Sequence, residues 1–183
     1  MTFTEMKLPG AWLIEADRLE DERGVFSPAW VAETFAARGL ETRIAQLSLT
    51  SNRRRGTLRG LHYQSAPFGE VKFVRVVRGA IFDVALDLRP ESPTFRQWFG
   101  AELSADNHRA LYLPRGLAHG YQTLADDSEV LYSVSAPYAP AHQQGVRWND
   151  PAFAIAWPLD HPTIINARDA GYPDFVPAPP GAA

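Results

Sequence analysis

From Leu58 to Ser135 the chain is a succession of short β-forming runs, each closed by turn residues, and this rhythm restricts the fold more than any other feature. VKFVRVV (Val71 to Val77) runs into Arg78-Gly79, and AIFDVALDL (Ala80 to Leu88) stops at Arg89-Pro90. FRQWFGAELS (Phe95 to Ser104), the turn ADNH, RALYLP (Arg109 to Pro114), AHGYQTLA (Ala118 to Ala125), the turn DDS and EVLYSVSA (Glu129 to Ala136) follow. Short strands at near-regular spacing argue an all-β sandwich or barrel, because a parallel α/β sheet would need a helix between successive strands.

Only one segment reads as a helix. Pro28 to Arg38 has Trp30, Val31 and Phe35 near helical spacing, a proline at its start and Gly39 at its end, so the pattern predicts a short amphipathic helix packed on a sheet. After Ser135, Pro137, Pro140, Pro151, Pro158, Pro162 and Pro173 make the chain extended or turning, with Trp148 and Trp157 as packing anchors. With 183 residues, 45% of them hydrophobic, there is enough apolar material for one full core and too little for two. The expectation is one domain over residues 1–183, with tails at 1–8 and 176–183.

A formal charge of −3 gives no global attraction for nucleic acid or an anionic membrane, so an anionic ligand would need a local basic site. The chain has no cysteine, which removes disulfides, thiolate metal sites and cysteine nucleophiles and fits a reducing compartment. No apolar run approaches the roughly 18 residues of a membrane span, and the N-terminus has no export-signal pattern, so the cytoplasm is the expected location.

Against this apolar background a few polar residues stand out. Lys72, one of only two lysines, interrupts a strand in which it shares a face with Val74 and Val76. In the next strand Ile81, Asp83, Ala85 and Asp87 form one set, and Phe82, Val84, Leu86 and Leu88 form the other, which reads as core. Inward-facing Lys72 and Asp83 would give a barrel with a polar mouth, where small ligands bind; a solvent-facing hairpin would leave the same alternation.

GTLRGLHYQ (Gly56 to Gln64) poses the sharper question, because Arg59 and His62 would point to opposite sides of a regular strand. Gly60 between them suggests a bulge or a close backbone approach that brings both into one cavity; otherwise Arg59 is exposed and His62 a core histidine. A second histidine closes P-x-G-x-x-H in LPRGLAHGYQ (Pro114, Gly116, His119), and together the two point to a cupin barrel. The usual metal-binding H-x-H reads His62-Tyr63-Gln64 here, with Glu70 late for the acidic ligand, so a metal-free pocket is expected. Tyr132 suits either a core position or a proton donor, and Asp169 is by composition an ordinary surface carboxylate.

Together GTLRGLHYQ, KFVRVVRG (Lys72 to Gly79), DVALDLR (Asp83 to Arg89), PRGLAHG (Pro114 to Gly120), Tyr132 to Tyr138, GVRWNDP (Gly145 to Pro151) and DERG (Asp21 to Gly24) resemble the dTDP-4-dehydrorhamnose 3,5-epimerase family over about Pro9 to Phe175. The resemblance implies a cupin-type double-stranded β-helix, a jelly-roll, acting without metal or other cofactor as a homodimer on a nucleotide-linked 4-keto-6-deoxy sugar. It implies His62 as general base with Asp169 as dyad partner, Lys72 steadying charge on the C4 oxygen, and Tyr132 returning a proton from the opposite face. It further implies Arg59 and His119 on the diphosphate, Tyr138 against the sugar and Asp83 lining the pocket. Arg23 and Phe26 would reach the nucleotide across the dimer interface, and Gln46 is a further nucleotide-side position.

The residue types suit that chemistry. A C4 ketone acidifies the hydrogens on C3 and C5 through an enolate, a histidine titrates near working pH, and an ammonium aimed at the enolate oxygen acts as charge develops. Two stretches depart from the family pattern: Gly24-Val25-Phe26-Ser27 leads to Pro28 rather than a glutamate, and Gln46 is followed by Leu47-Ser48 rather than Asp-Asn. Both lie on the nucleotide side, leaving open which nucleotide is used and whether one carbon or two is inverted. A cupin ketoisomerase, a non-catalytic sugar-nucleotide binder and a metallo-cupin oxygenase are the alternatives.

Overall fold

The computed structural model describes residues 1–176. Its strands are β1 (Thr2–Glu5), β2 (Trp12–Glu15), β3 (Leu19–Asp21), β4 (Gly24–Phe26), β5 (Gln46–Asn52), β6 (Leu58–Gln64) and β7 (Lys72–Arg78). They continue with β8 (Ala80–Asp87), β9 (Trp98–Ser104), β10 (Arg109–Leu113), β11 (Leu117–Thr123), β12 (Ser128–Val134) and β13 (Gln143–Gly145). Two short α-helices, α1 (Ala32–Ala36) and α2 (Ala167–Ala170), and a 3₁₀ turn at Pro140–His142 complete the described elements.

The strands form a six-stranded sheet, β1-β2-β10-β7-β12-β5, a five-stranded sheet, β13-β6-β11-β8-β9, and the separate hairpin β3-β4. All their pairings are antiparallel, and the crossed strand order is that of a cupin jelly-roll. Val74, Val76, Leu111 and Val130 of the first sheet meet Ile81, Ala85, Leu103 and Tyr121 of the second in a fully buried interior. No helix among the described residues is long and apolar enough to cross a membrane.

Alternation places side chains as expected in β7, where Val74 and Val76 point inward and Phe73 packs outward beneath α1. In β8 both faces are core. Ile81 and Ala85 line the barrel interior, while Val84 and Leu86 face outward and are covered by Val146, Phe153 and Trp157 of the C-terminal segment. That segment is thus the lid of the second sheet's outer face, and its tryptophans anchor it.

Two expectations need correction. The helix predicted over Pro28–Arg38 has only the five residues Ala32–Ala36: Val31 before it is extended and supplies no capping side chain, and Trp30 is held by its ring against Phe35 (3.9 Å between centroids). Its end is as read, with Gly39 at φ +70° and the Gly39 and Leu40 N–H groups closing on Ala36 and Phe35. Residues 1–8 are no tail. Thr2–Glu5 pairs with Trp12–Glu15 across a turn at Gly10 (φ +80°), and Leu8 is completely buried. The other expected tail, beyond Val176, lies outside the described residues.

Candidate active site

Between the two sheets lies a cavity of about 370 Å³, and the polar residues singled out in the sequence converge on it. Strand β6 contributes Arg59 and His62, β7 contributes Lys72, β11 contributes His119, β12 contributes Tyr132, and α2 contributes Asp169. His62 and Tyr132 therefore come from opposite sheets.

Gly60 is what allows Arg59 and His62 to share one cavity. Opposite β11 the register slips: His62 pairs with His119 and Arg59 with Tyr121, so three steps on β6 match two on β11. Gly60 sits at φ +111°, and a Cβ there would come within 2.6 Å of the Gly120 Cα and 2.7 Å of the His119 carbonyl oxygen. Two glycines packed backbone to backbone form the close approach read from the sequence.

Each cavity histidine has a buried carboxylate of its own. His62 Nε2 is 2.7 Å from Asp169 Oδ1, and Asp169 Oδ2 accepts the Gly60 N–H at 3.0 Å. Asp169 is held in turn at the first turn of α2, where Asn166, the N-cap, accepts its backbone N–H at 2.7 Å. Burial pushes the Asp169 carboxyl up, but the bonds from His62 and Gly60 and the nearby Arg168 outweigh it and hold it below the usual range. An ionised carboxylate can only accept, so Nε2 carries the ring proton and Nδ1 is the nitrogen free to take another.

His119 Nε2 lies 2.7 Å from Asp83 Oδ1, and Asp83 has no solvent exposure. Asp83 does not line the cavity as expected; it stands behind His119, and its Oδ2 has no hydrogen-bond partner among the described residues. Arg59 is fixed similarly, its Nε donating to Asn52 Oδ1 at 2.8 Å. Tyr138 stands at the rim, largely exposed, with its hydroxyl donating to Gln143 at 2.5 Å.

Lys72 reaches from the first sheet to the second, where its Nζ donates to the His62 carbonyl oxygen at 2.7 Å and lies 3.2 Å from Glu70 Oε1. Burial pushes the ammonium down from its ordinary range, while the charges of Glu70 and Asp83 oppose that shift. Gln64, in the place of a second metal-binding histidine, has its amide committed elsewhere: it donates to the Phe68 and Pro137 carbonyls and accepts the Ala139 N–H. Among the described residues no three His, Cys, Asp or Glu side chains form a metal-binding group.

The dTDP-4-dehydrorhamnose 3,5-epimerase family profile matches residues 5–176. The chain belongs to this family. A dTDP-4-dehydrorhamnose 3,5-epimerase from Methanothermobacter thermautotrophicus is 42% identical over 93% of this chain and 92% of its own length. The crystal structure of the Bacillus anthracis epimerase with TDP and PPi bound has a TM-score of 0.92 at 39% identity, over 95% of this chain and 99% of that one. A 3′-monoepimerase from Streptomyces bikiniensis in complex with dTDP-quinovose has a TM-score of 0.86 at 36% identity, covering 92% and 85%. As a member of the dTDP-4-dehydrorhamnose 3,5-epimerase family, the protein is an isomerase.

Three of the residues read from the sequence stand apart from the rest. Arg23 and Phe26 lie on the exposed β3-β4 hairpin and do not line the cavity, and Gln46 lines it from the edge strand β5 with its amide on Ser48 Oγ at 2.8 Å. Sequence reasoning missed Arg168, whose Nη2 is 3.3 Å from His62 Nε2 and whose Nε is 3.3 Å from Asp169 Oδ1. It also missed Asn52, Thr50 and Tyr121, which support one another and Arg59 across the sheets. The spacing Asn166-x-x-Asp169 is a capping pattern and could have signalled α2; the contacts across the sheets leave no local signal.

Proposed function

We propose that the protein inverts C3, C5 or both in a nucleotide-linked 4-keto-6-deoxyhexose of the dTDP-4-dehydro-6-deoxyglucose type. His62, with its proton held on Nε2 by Asp169, takes the hydrogen next to the C4 ketone through Nδ1. Lys72 meets the negative charge that collects on the C4 oxygen, an interaction worth most when the charge is greatest. Tyr132 returns a proton from the other side. Inversion requires removal and return on opposite faces, and the observation that carries the reading is His62 and Tyr132 lining one cavity from opposite sheets, with Lys72 in the same cavity and its Nζ on the His62 carbonyl.

Arg59 and His119, each oriented by a second side chain, hold the diphosphate, Tyr138 closes on the sugar at the rim, and no cofactor is called for because the ketone itself is the electron sink. A homodimer accounts for the rest. Phe26 and Leu19 on the hairpin and Leu47 and Leu49 on β5 are exposed apolar side chains, which a second copy would cover, bringing Arg23 and Phe26 to the nucleotide of its partner, near Gln46. A cytoplasmic enzyme of nucleotide-sugar metabolism fits this assembly.

Relatives of both kinds, acting by name on two carbons and on one, make the number of inverted centres the specific question. Deuterium uptake from D₂O into dTDP-4-dehydro-6-deoxyglucose, followed by NMR at C3 and C5 separately, answers it. Exchange at either carbon with the wild-type protein supports the reading; none at either, with the substrate bound, removes it. Parallel runs with CDP- and UDP-linked sugars identify the nucleotide.

A further inference from the structure

Glu70 is a motif residue that lines the cavity and that the proposed reaction does not use. It lies in the segment before β7, nearly buried at 9% exposure, and lines the cavity beside Lys72. Oε1 is 3.2 Å from the Lys72 ammonium, and Oε2 is buried with no hydrogen-bond partner among the described residues. A carboxylate is rarely buried with half its hydrogen-bonding capacity unused unless a charge beside it compensates.

We infer that Glu70 is the positioning residue of the catalytic lysine, a built-in counter-ion that holds Lys72 charged and aimed into the cavity. The inference rests on the reading of Lys72 as the group facing the C4 oxygen. A buried ammonium has three hydrogens to satisfy. One is given to the His62 carbonyl and one to Glu70, which leaves a single N–H for a ligand in the cavity. Without Glu70 the ammonium would have a second unmet donor in a desolvated site, where losing its proton relieves the cost.

The groups facing Lys72 from the surrounding elements are few. From β6 come His62, which offers its carbonyl, and Arg59; β8 gives Asp83, β11 gives His119 and β12 gives Tyr132. Among the described residues Asp83 is the other carboxylate acting on the ammonium, and it already pairs with His119, so Glu70 is the closer and less committed counter-charge. Its role acts through Lys72 and involves no contact with the reacting carbon.

The chain suits a direct test because it contains only two lysines, and the other, Lys7, is exposed with its Nζ 5.8 Å from the Trp98 ring centroid. Protein labelled with ¹³Cε-lysine gives two lysine signals, and Lys72→Arg assigns them. In Glu70→Gln, which keeps size and shape, the Lys72 midpoint should fall by about one pH unit or more, with the Lys7 signal as the internal control. Glu70→Asp should restore part of the shift.

The alkaline limb of C–H exchange should move down in step. An unchanged Lys72 midpoint in a Glu70→Gln protein whose Lys7 signal and melting curve are native overturns the inference. If the midpoint moves but Lys72→Met exchanges normally, the charge-holding contact stands and the catalytic reading of Lys72 fails, taking with it the catalytic part of this inference.

Discussion

Replacing Asp169 by asparagine tests the base assignment most directly, because its cost follows from the contacts. The carboxylate has no exposure and serves two donors, His62 Nε2–H at 2.7 Å and Gly60 N–H at 3.0 Å. An amide has one acceptor oxygen. If that oxygen stays with Gly60, the NH₂ group faces His62 Nε2, which must then accept; the ring proton moves to Nδ1, and the base is blocked. If the amide turns over, its NH₂ confronts the Gly60 N–H, leaving two buried donors opposed at a cost of about 1–3 kcal/mol. In either orientation the negative charge that favours the imidazolium is lost, and a charge-assisted bond becomes a neutral one, a further ~1.5–2 kcal/mol.

The sum of ~2.5–5 kcal/mol corresponds to a loss of about 10²–10⁴ in the rate of proton removal. Deuterium uptake at C3 and C5 measures that rate, and calorimetric titration with dTDP, whose diphosphate is assigned to Arg59 and His119, should be unchanged. Exchange within about tenfold of wild type in a well-folded Asp169→Asn protein would refute the tautomer argument. Because the Asp169 carboxyl is held below its usual range, it stays ionised through neutral pH, and the deficit should persist across that range.

Tyr132→Phe should keep proton removal and lose inverted product by about 10²-fold, seen as exchange without new epimer; normal epimer formation would dismiss the phenol as the acid. Gly60→Ala must place a methyl within 2.6 Å of the Gly120 backbone at φ +111°, which should cost about 3 kcal/mol and lower Tm by about 6–12 °C; an unaltered melting curve would contradict the close approach. Asp87 is fully buried, yet its bonds to Arg89, Ser92 and Thr94 overcome that burial and bring its carboxyl to about 2. A folded-state value below the unfolded one gives stability that is complete above pH ~4 and lost as pH falls toward 2, worth ~2 kcal/mol. Asp87→Asn should therefore be the less stable protein in urea at pH 7, with the gap closing at pH 2; a pH-independent gap would rule out the ionic contribution.

The strand rhythm fixed the architecture because pleat alternation and turn residues act over a few neighbours, and in β7 counting two residues at a time put Lys72 on the face of Val74 and Val76, though only the fold turned that face inward. Where the outer surface was also buried, as in β8, alternation located one core and could not reveal the second, since the cover comes from Val146, Phe153 and Trp157, some 60 to 75 residues along the chain. The helix was overextended for a related reason. Apolar spacing promised three turns, but a helix start needs a capping group, and Val31 has none to give.

The site divides along the same line. Arg59, His62 and Lys72 interrupt the local strand pattern and so could be raised as candidates one at a time, each beside a plain structural reading, while Tyr132 read equally as core until the family resemblance gave it a role. Asp169 could not, because nothing within ten residues of it distinguishes a buried dyad carboxylate from a surface one; only the family resemblance named it. What brings it to His62 is a contact across 107 residues of chain, created when the C-terminal segment covers the second sheet and Asn166 starts a helix of four residues beneath β6. Glu70 shows the converse. Its position late in a metal-ligand motif looks like decay of that motif, whereas its place beside Lys72 gives the same carboxylate a different charge to balance.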